Sequence, residues 1–525
     1  MSPALQQRPI IPGFHPDPSI CRVGDTYYLV TSSFEYAPGV PIFSSTDLRS
    51  WTQIGNVLDR PGQLDVSGAD ASGGVFAPTL RYHDGRFWMI TTNWSDSGGQ
   101  LLVWADDPAG PWSDPIRIPA AVGIDPDLAW DEDGTCYLTY AGFGPGGSDG
   151  IVQSIIDPAT GEILTDRRRL WTGTGDKFPE GPHLYRIGDY WYLLIAEGGT
   201  ERGHAVSIAR GPSPQGPFES FAGNPILTHR GSDKPVQNTG HADLVRRSDN
   251  SWAVVYHGVR ARGSSPEWHV LGRETFAQEV IWVDGWPVLT EHIEPTAGTD
   301  HVVHADLSAA ELSRSWVGAT RFPGQFLDRQ NDGWHVRASG DEPVFVGRRQ
   351  EHLFARVRAS LDIDGAGGLA VWIDPRHSLR LECTPERIVA VAYVGDLRSV
   401  LAEAATPTRE SIDLEIRMTP AIGSAYSTSR GPDRVEVGLN QQGTFTALGR
   451  LDGRYLSTEV AGGMTGRMIG AFCSSGQIVL RSFDYAGSDD PIALFGDGSS
   501  SDGIAMIASG EGQGPGDWSE DLLAT

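Results

Sequence analysis

Five times in the first half of the chain a turn pair is followed by a run of strand-forming residues. Gly24-Asp25-Thr26-Tyr27-Tyr28-Leu29-Val30 is the first, Asp84-Gly85-Arg86-Phe87-Trp88-Met89-Ile90 the second, and Asp133-Gly134-Thr135-Cys136-Tyr137-Leu138 the third. Gly188-Asp189-Tyr190-Trp191-Tyr192-Leu193 and Asp249-Asn250-Ser251-Trp252-Ala253-Val254 complete the set. Measured from fifth position to fifth position, the intervals are about 60, 49, 55 and 61 residues. A repeat of that length denotes propeller blades or an array. The turn pairs are hairpin signals, and aromatic and β-branched runs favour strands. The first half is therefore expected to be a five-bladed β-propeller.

A second element precedes each of these runs, a short stretch ending in Ile or Leu eight or nine residues before the fifth position. Asp17-Pro18-Ser19-Ile20, Phe76-Ala77-Pro78-Thr79-Leu80, Asp125-Pro126-Asp127-Leu128, Glu180-Gly181-Pro182-His183-Leu184 and His241-Ala242-Asp243-Leu244 form this series. The first strand of each blade lines the central channel. Their leading residues, Asp17, Phe76, Asp125, Glu180 and His241, should thus converge on one axis. Asp before Pro is also a common turn opener. Three carboxylates placed alike in separate blades nevertheless point to chemistry, because grouping like charges in a closed funnel is costly.

The second half has no such period. From about Trp316 it reads as short alternating strands: 354–358, 368–373, 379–382, 388–393, 412–418, 435–439 and 478–483. That texture suggests a β-sandwich. The expected organisation is an all-β chain with a propeller over 1–295, a linker around 291–304, a sandwich over 305–487, and a Gly/Ser/Asp-rich tail over 488–525 that reads as disordered.

Composition narrows the partners. A net charge of -26 over 525 residues argues against nucleic acid and anionic membranes and leaves a neutral polysaccharide unopposed. No window reaches the ~20 apolar residues of a membrane helix. No basic n-region with an apolar run opens the chain, and Cys21, Cys136, Cys383 and Cys473 are far apart. A cytoplasmic location is expected. The oligomeric state, including a homo-oligomer, stays open.

Inverting cleavage of a glycosidic bond needs one ionised carboxylate to activate water and one protonated carboxyl to protonate the leaving oxygen, roughly 6.5–9.5 Å apart. A third carboxylate nearby raises the pKa of the acid. Asp17, Asp125 and Glu180 supply three.

The stretches Gly13-Phe14-His15-Pro16-Asp17-Pro18-Ser19-Ile20, Ile124-Asp125-Pro126, Glu180-Gly181-Pro182-His183-Leu184, Ala196-Glu197-Gly198-Gly199-Thr200 and Gly240-His241-Ala242 together resemble the signatures of glycoside hydrolase family 43. The similarity covers about 9–290 and, more weakly, about 305–485. It is greatest to β-xylosidases and α-L-arabinofuranosidases with a C-terminal, concanavalin-like β-sandwich. The resemblance implies that Asp17 is the general base, Glu180 the general acid and Asp125 the residue that orients the acid and raises its pKa. It also implies that His241 helps hold a central water or calcium ion and that Arg273 lies near the terminal sugar. No cofactor is required on this reading, His241 meets a metal only through water, and a structural calcium in the channel is left open. The implied substrate is a xylo- or arabino-oligosaccharide, cut from its end.

Phe34, Phe76, Trp94 and Trp268 are the candidate sugar-stacking residues, against their alternative as packing aromatics. Phe76 stands where many family members have Trp, and the segment around Trp268 departs from the family's loop. Three alternatives are a carbohydrate-binding propeller without catalysis, an arabinan-directed hydrolase, and a retaining enzyme on fructosides. The last resembles a class with an Asn-Asp-Pro opening, where this chain has His15-Pro16-Asp17.

Overall fold

The computed structural model describes residues 7–96, 98–144, 146–296, 301–305, 307, 312–340, 342–407, 411–421 and 429–496. The first half is a propeller of five antiparallel sheets. Their innermost strands are Ser19–Val23, Thr79–His83, Gly123–Trp130, Glu180–Ile187 and Gln237–Arg246. Each of these contacts the innermost strand of the blade on either side.

The strands after the repeated turns are apolar on both faces because each blade is covered on both sides. Adjacent residues of a strand point to opposite faces. Val30 accordingly packs between blades one and two, and Leu29 between blades one and five. Met89 and Ile90 divide in the same way between the first and third blades. Leu193 and Leu194 face blades three and five. Five apolar clusters result, one at each blade junction, and each fully buried aliphatic side chain contributes about 1.5–3 kcal/mol. The ring closes through the chain start: the Ile10 N–H donates to the Thr275 carbonyl at 2.8 Å, and Gln7 Nε2 donates to the Tyr256 hydroxyl at 2.9 Å.

The second half is a strand-rich body with one folded sheet of 14 strands, Tyr36–Ala37 of the propeller included. The runs expected separately at 354–358 and 368–373 belong to one strand, Phe354–Asp374, paired along its length with Met468–Ser488. Bulges at Ser360/Leu361 and Ala366/Gly367 bend it. One half pairs with Ile412–Thr419 and the other with His377–Cys383.

Two boundaries differ from the sequence expectation. The linker is shorter than 291–304, because Trp286–His292 completes blade five and His301–Ala305 already pairs with Met468–Ser488. Beyond 488 the chain is not structureless throughout. Pro491–Phe495 is a short helix whose Asp490 cap accepts from the Ile492 N–H, and Leu494 and Phe495 pack on Val270, Leu271, Leu353 and Phe354. The rest of the expected tail, 497–525, lies outside the described residues.

The two halves share a core directly behind the channel mouth. Tyr36–Ala37 of the propeller pairs with Val317–Ala319. Phe14, Phe34 and Tyr36 pack with Val317, Phe345, Trp372, Met468 and Phe472. The wall bearing Phe34 is thus backed by the sandwich.

Candidate active site

Four of the innermost strands share a left-handed backbone position near their start. Asp17, Asp125 and Gly181 each precede a proline and have φ of 54°, 55° and 53°. His241 has φ 49° without a following proline. Left-handed backbone is uncommon outside glycine, and Asp and His are among the residues that tolerate it. Ladder irregularities at Ile124/Asp127, Glu180/His183 and Gly240/Asp243 accompany these positions. The expected ring therefore mixes two registers: Glu180 and Phe76 sit one residue ahead of the frame held by Asp17, Asp125 and His241. The reason is steric. A Cβ on Gly181 would stand 2.9 Å from the His241 ring, so blade four carries its carboxylate one position earlier.

Asp17, Phe34, Phe76, Ala77, Ile124, Asp125, Glu180, Thr200, His241, Arg273 and Met464 line one small hollow of about 70 Å³. That is well below the roughly 300–1,000 Å³ of small-molecule sites. Its carboxylates are held in opposite states. Arg273 donates to Asp17 Oδ1 at 2.6 Å and Ser32 Oγ to Oδ2 at 2.6 Å. His257 Nδ1 lies 3.0 Å and His241 Nδ1 3.5 Å from Oδ1. Burial pushes the Asp17 carboxyl up, but Arg273, His241 and His257 outweigh it and hold it well below the usual range. Asp125 is driven well above its ordinary value by burial, then by Glu180 and Asp17, against one hydrogen bond from the Gly181 N–H at 3.1 Å. Burial, then Asp17, pushes Glu180 up to about 7. One carboxylate held toward its ionised form thus faces a pair pushed toward the protonated form, the division that acid and base chemistry requires.

The aromatic candidates separate. Phe34 and Phe76 form the wall, with ring centroids 5.5 Å apart. Trp94 does not line the hollow; it is 54% exposed at the rim and stacks on Phe76 at 5.6 Å. Trp268 is not brought to the site at all. It is buried near the junction of the two halves with the Arg454 guanidinium 4.6 Å above its ring.

Sequence reasoning missed Ser32, Thr200, His257 and Met464. Thr200 sits inside a recognised motif and accepts from Arg273 at 3.1 Å. Met464 comes from the sandwich half, and its N–H donates to Ser72 Oγ at 2.8 Å. Nothing local in the sequence marks a residue that reaches the site from about 190 positions after Arg273.

His241 has the acidic neighbour that its sequence surroundings did not show: ligand atoms of Asp17, His241 and His257 lie within 4.8 Å of one another. Two imidazoles and one carboxylate are a poor donor set for calcium, which takes six to eight oxygens. Both Asp17 oxygens are already engaged by Arg273 and Ser32. The residues present do not fit the ion.

Comparison with known proteins agrees with this geometry. The profile of glycosyl hydrolases family 43 matches residues 6–287, and that of the beta xylosidase C-terminal concanavalin A-like domain matches 333–486. A xylosidase/arabinosidase of Butyrivibrio fibrisolvens is 49% identical over 515 residues, 90% of this chain and 96% of its own. A non-reducing end alpha-L-arabinofuranosidase of Bacteroides ovatus is 35% identical over 510 residues, 91% and 93% of the two chains. The crystal structure of a xylan beta-1,4-xylosidase from Bacillus halodurans superposes with a TM-score of 0.81 at 28% identity, covering 92% of this chain and 100% of that one. A family profile over more than half of the chain, joined to a propeller whose channel gathers three carboxylates, makes this protein a glycoside hydrolase of family 43.

Proposed function

We propose that the enzyme releases terminal pentose, β-1,4-xylose or α-L-arabinofuranose, from short xylo- or arabinoxylo-oligosaccharides with inversion. Asp17 is the general base, Glu180 the general acid, and Asp125 the neighbour that keeps the acid protonated. The observation that carries the reading is the split in one hollow, with Asp17 held down by Arg273 and two histidines while Asp125 and Glu180 are pushed up.

In the reaction, Asp17 takes a proton from water as the water oxygen attacks the anomeric carbon, and Glu180 delivers its proton to the departing oxygen. His241 and His257 are pushed down by burial to about 3 and about 4. Near neutral pH they are uncharged imidazoles that orient Asp17 without competing for its role. Phe34 and Phe76 offer ring faces to the apolar face of the sugar. Arg273 has donors to spare for its hydroxyls. A hollow closed on one side by Met464 suits a chain end better than the middle of a polymer.

The test pairs Asp17→Ala and Glu180→Ala on 4-nitrophenyl β-D-xyloside and α-L-arabinofuranoside, with proton NMR of the first product anomer. Loss of turnover in both folded variants and an inverted anomer are expected. Wild-type rates in either variant, or a retained anomer, overturn the assignment.

A further inference from the structure

Two residues along from the left-handed frame, a second ring of side chains crosses the channel. It consists of Ser19, Asp127, His183 and Asp243, from blades one, three, four and five. All four meet the guanidinium of Arg81, which belongs to blade two. Arg81 NH1 donates to Asp243 Oδ2 at 2.8 Å and reaches Ser19 Oγ at 3.3 Å. Its NH2 donates to Asp127 Oδ1 at 2.8 Å and lies 2.8 Å from His183 Nδ1. One side chain therefore touches every other blade at the propeller axis.

The charges explain why. The Asp127 and Asp243 side chains have no exposed surface. Two buried carboxylates require a counter-ion. Burial alone would raise Asp243, yet Arg81, then His183, brings it down to about 2. Arg81 is itself raised by Asp243 and Asp127 against its own burial. A metal ion is one solution to such a ring; a planar, five-donor guanidinium is another. The carboxylates also accept backbone N–H bonds, Asp243 from Ile20 at 2.9 Å and Asp127 from Leu184 at 2.9 Å. The ring thus fixes the strands themselves, each to its neighbour.

We propose that Arg81 is the built-in cation of the channel and a positioning residue for catalysis. It occupies the place a divalent ion would take, and it sets the register of the strands that carry Asp17, Asp125, Glu180 and His241. The catalytic part of this rests on the reading given under Proposed function; the charge-replacement part does not. Each of those residues lies two or three positions before a partner of Arg81 on the same strand segment. A misplacement of ~1 Å in a catalytic constellation costs on the order of 100-fold in rate.

The experiment compares wild type, Arg81→Met and Arg81→Lys by thermal melting and by kinetics on an aryl pentoside, each in EDTA and in millimolar calcium or manganese chloride. The wild type should be indifferent to EDTA in both readouts. Arg81→Met should melt lower and lose kcat by on the order of 100-fold, with KM changed less than threefold, because the sugar contacts stay in place. Its orphaned Asp127, Asp243 and His183 should bind the added cation, so that melting temperature, and with it kcat, rises only in this variant. Arg81→Lys keeps the charge but loses the fork; it should fold and show an intermediate kcat. If Arg81→Met does not fold without metal, recovery of folding by the cation is the supporting result. A wild type that loses stability in EDTA, or an Arg81→Met protein with wild-type melting and kcat, overturns the proposal. Melting and its cation response do not depend on which carboxylates catalyse, so a failure of the catalytic assignment would leave that arm readable.

Discussion

Replacing Arg273 by Gln tests the electrostatic logic of the site more sharply than deleting a carboxylate. The guanidinium is 2.6 Å and 3.4 Å from the two oxygens of Asp17. With charge centres roughly 4 Å apart and an effective dielectric constant of about 20, the attraction is ~4 kcal/mol. The two histidines and Ser32 remain, so the Asp17 carboxyl is expected to move upward without reaching the value of an unpartnered buried acid. Glu180 and Asp125 also feel Arg273 as a lowering charge, and they should rise as well. In the wild type, kcat/KM should climb with the ionisation of Asp17 at strongly acidic pH and decline as Glu180 loses its proton near about 7. In Arg273→Gln both limbs should move to higher pH, the acid limb most. The absolute rate will drop because a sugar contact is lost, but limb positions in a full pH profile report the charges regardless of height. Unmoved limbs, or limbs displaced downward, would refute the claim that Arg273 sets the ionisation of Asp17.

Glu180→Gln should alter stability in a pH-dependent way. The Glu180 carboxyl is raised from 4.5 to about 7, so its charged form disfavours the fold. Relative to the Gln variant, the wild type should lose up to ~3 kcal/mol as pH rises from 4.5 through 7; denaturant melts at pH 4.5 and 8 that give the same difference would contradict this. Gly463→Ala should raise KM about tenfold with little change in kcat, since the new Cβ would stand 2.3 Å from Ser72 Oγ and push Met464 off the hollow, a loss of ~1.4 kcal/mol. An unchanged KM would separate Met464 from substrate. Trp268→Ala should lower stability by about 3–5 kcal/mol and leave KM alone; a large KM effect in a stable protein would return Trp268 to the site.

Much of the molecule was legible because repetition carries its own check. Turn pairs and the elements before them recur together, and a five-fold coincidence of two signals fixes blade count and the faces of the inner strands. The three carboxylates followed from that frame, and so did His241. The register did not: treating Glu180 as equivalent to Asp17 ignored the proline that aligns Gly181 with it. The repeat places Phe76 at the axis, but Trp268 rests on residue type, and type does not show that it lies under Arg454. Met464 was invisible because its proximity is created by docking the two halves, through pairing of Tyr36–Ala37 with Val317–Ala319. No short-range pattern encodes such a contact.

The left-handed frame also accounts for why the motifs have the residues they do. At each of the four positions the backbone takes φ near 50°, which disfavours β-branched and bulky side chains on steric grounds. Asp and His tolerate it and bring polar atoms to the axis; Gly tolerates it and brings none. Blade four uses Gly because the His241 ring already fills the space, and the displaced function passes to Glu180, whose longer side chain begins one residue further out. A Glu rather than an Asp at that position is thus a requirement of reach. Glu180→Asp, one methylene shorter, should therefore fall well short of restoring the activity of a glutamate, even though it restores the charge.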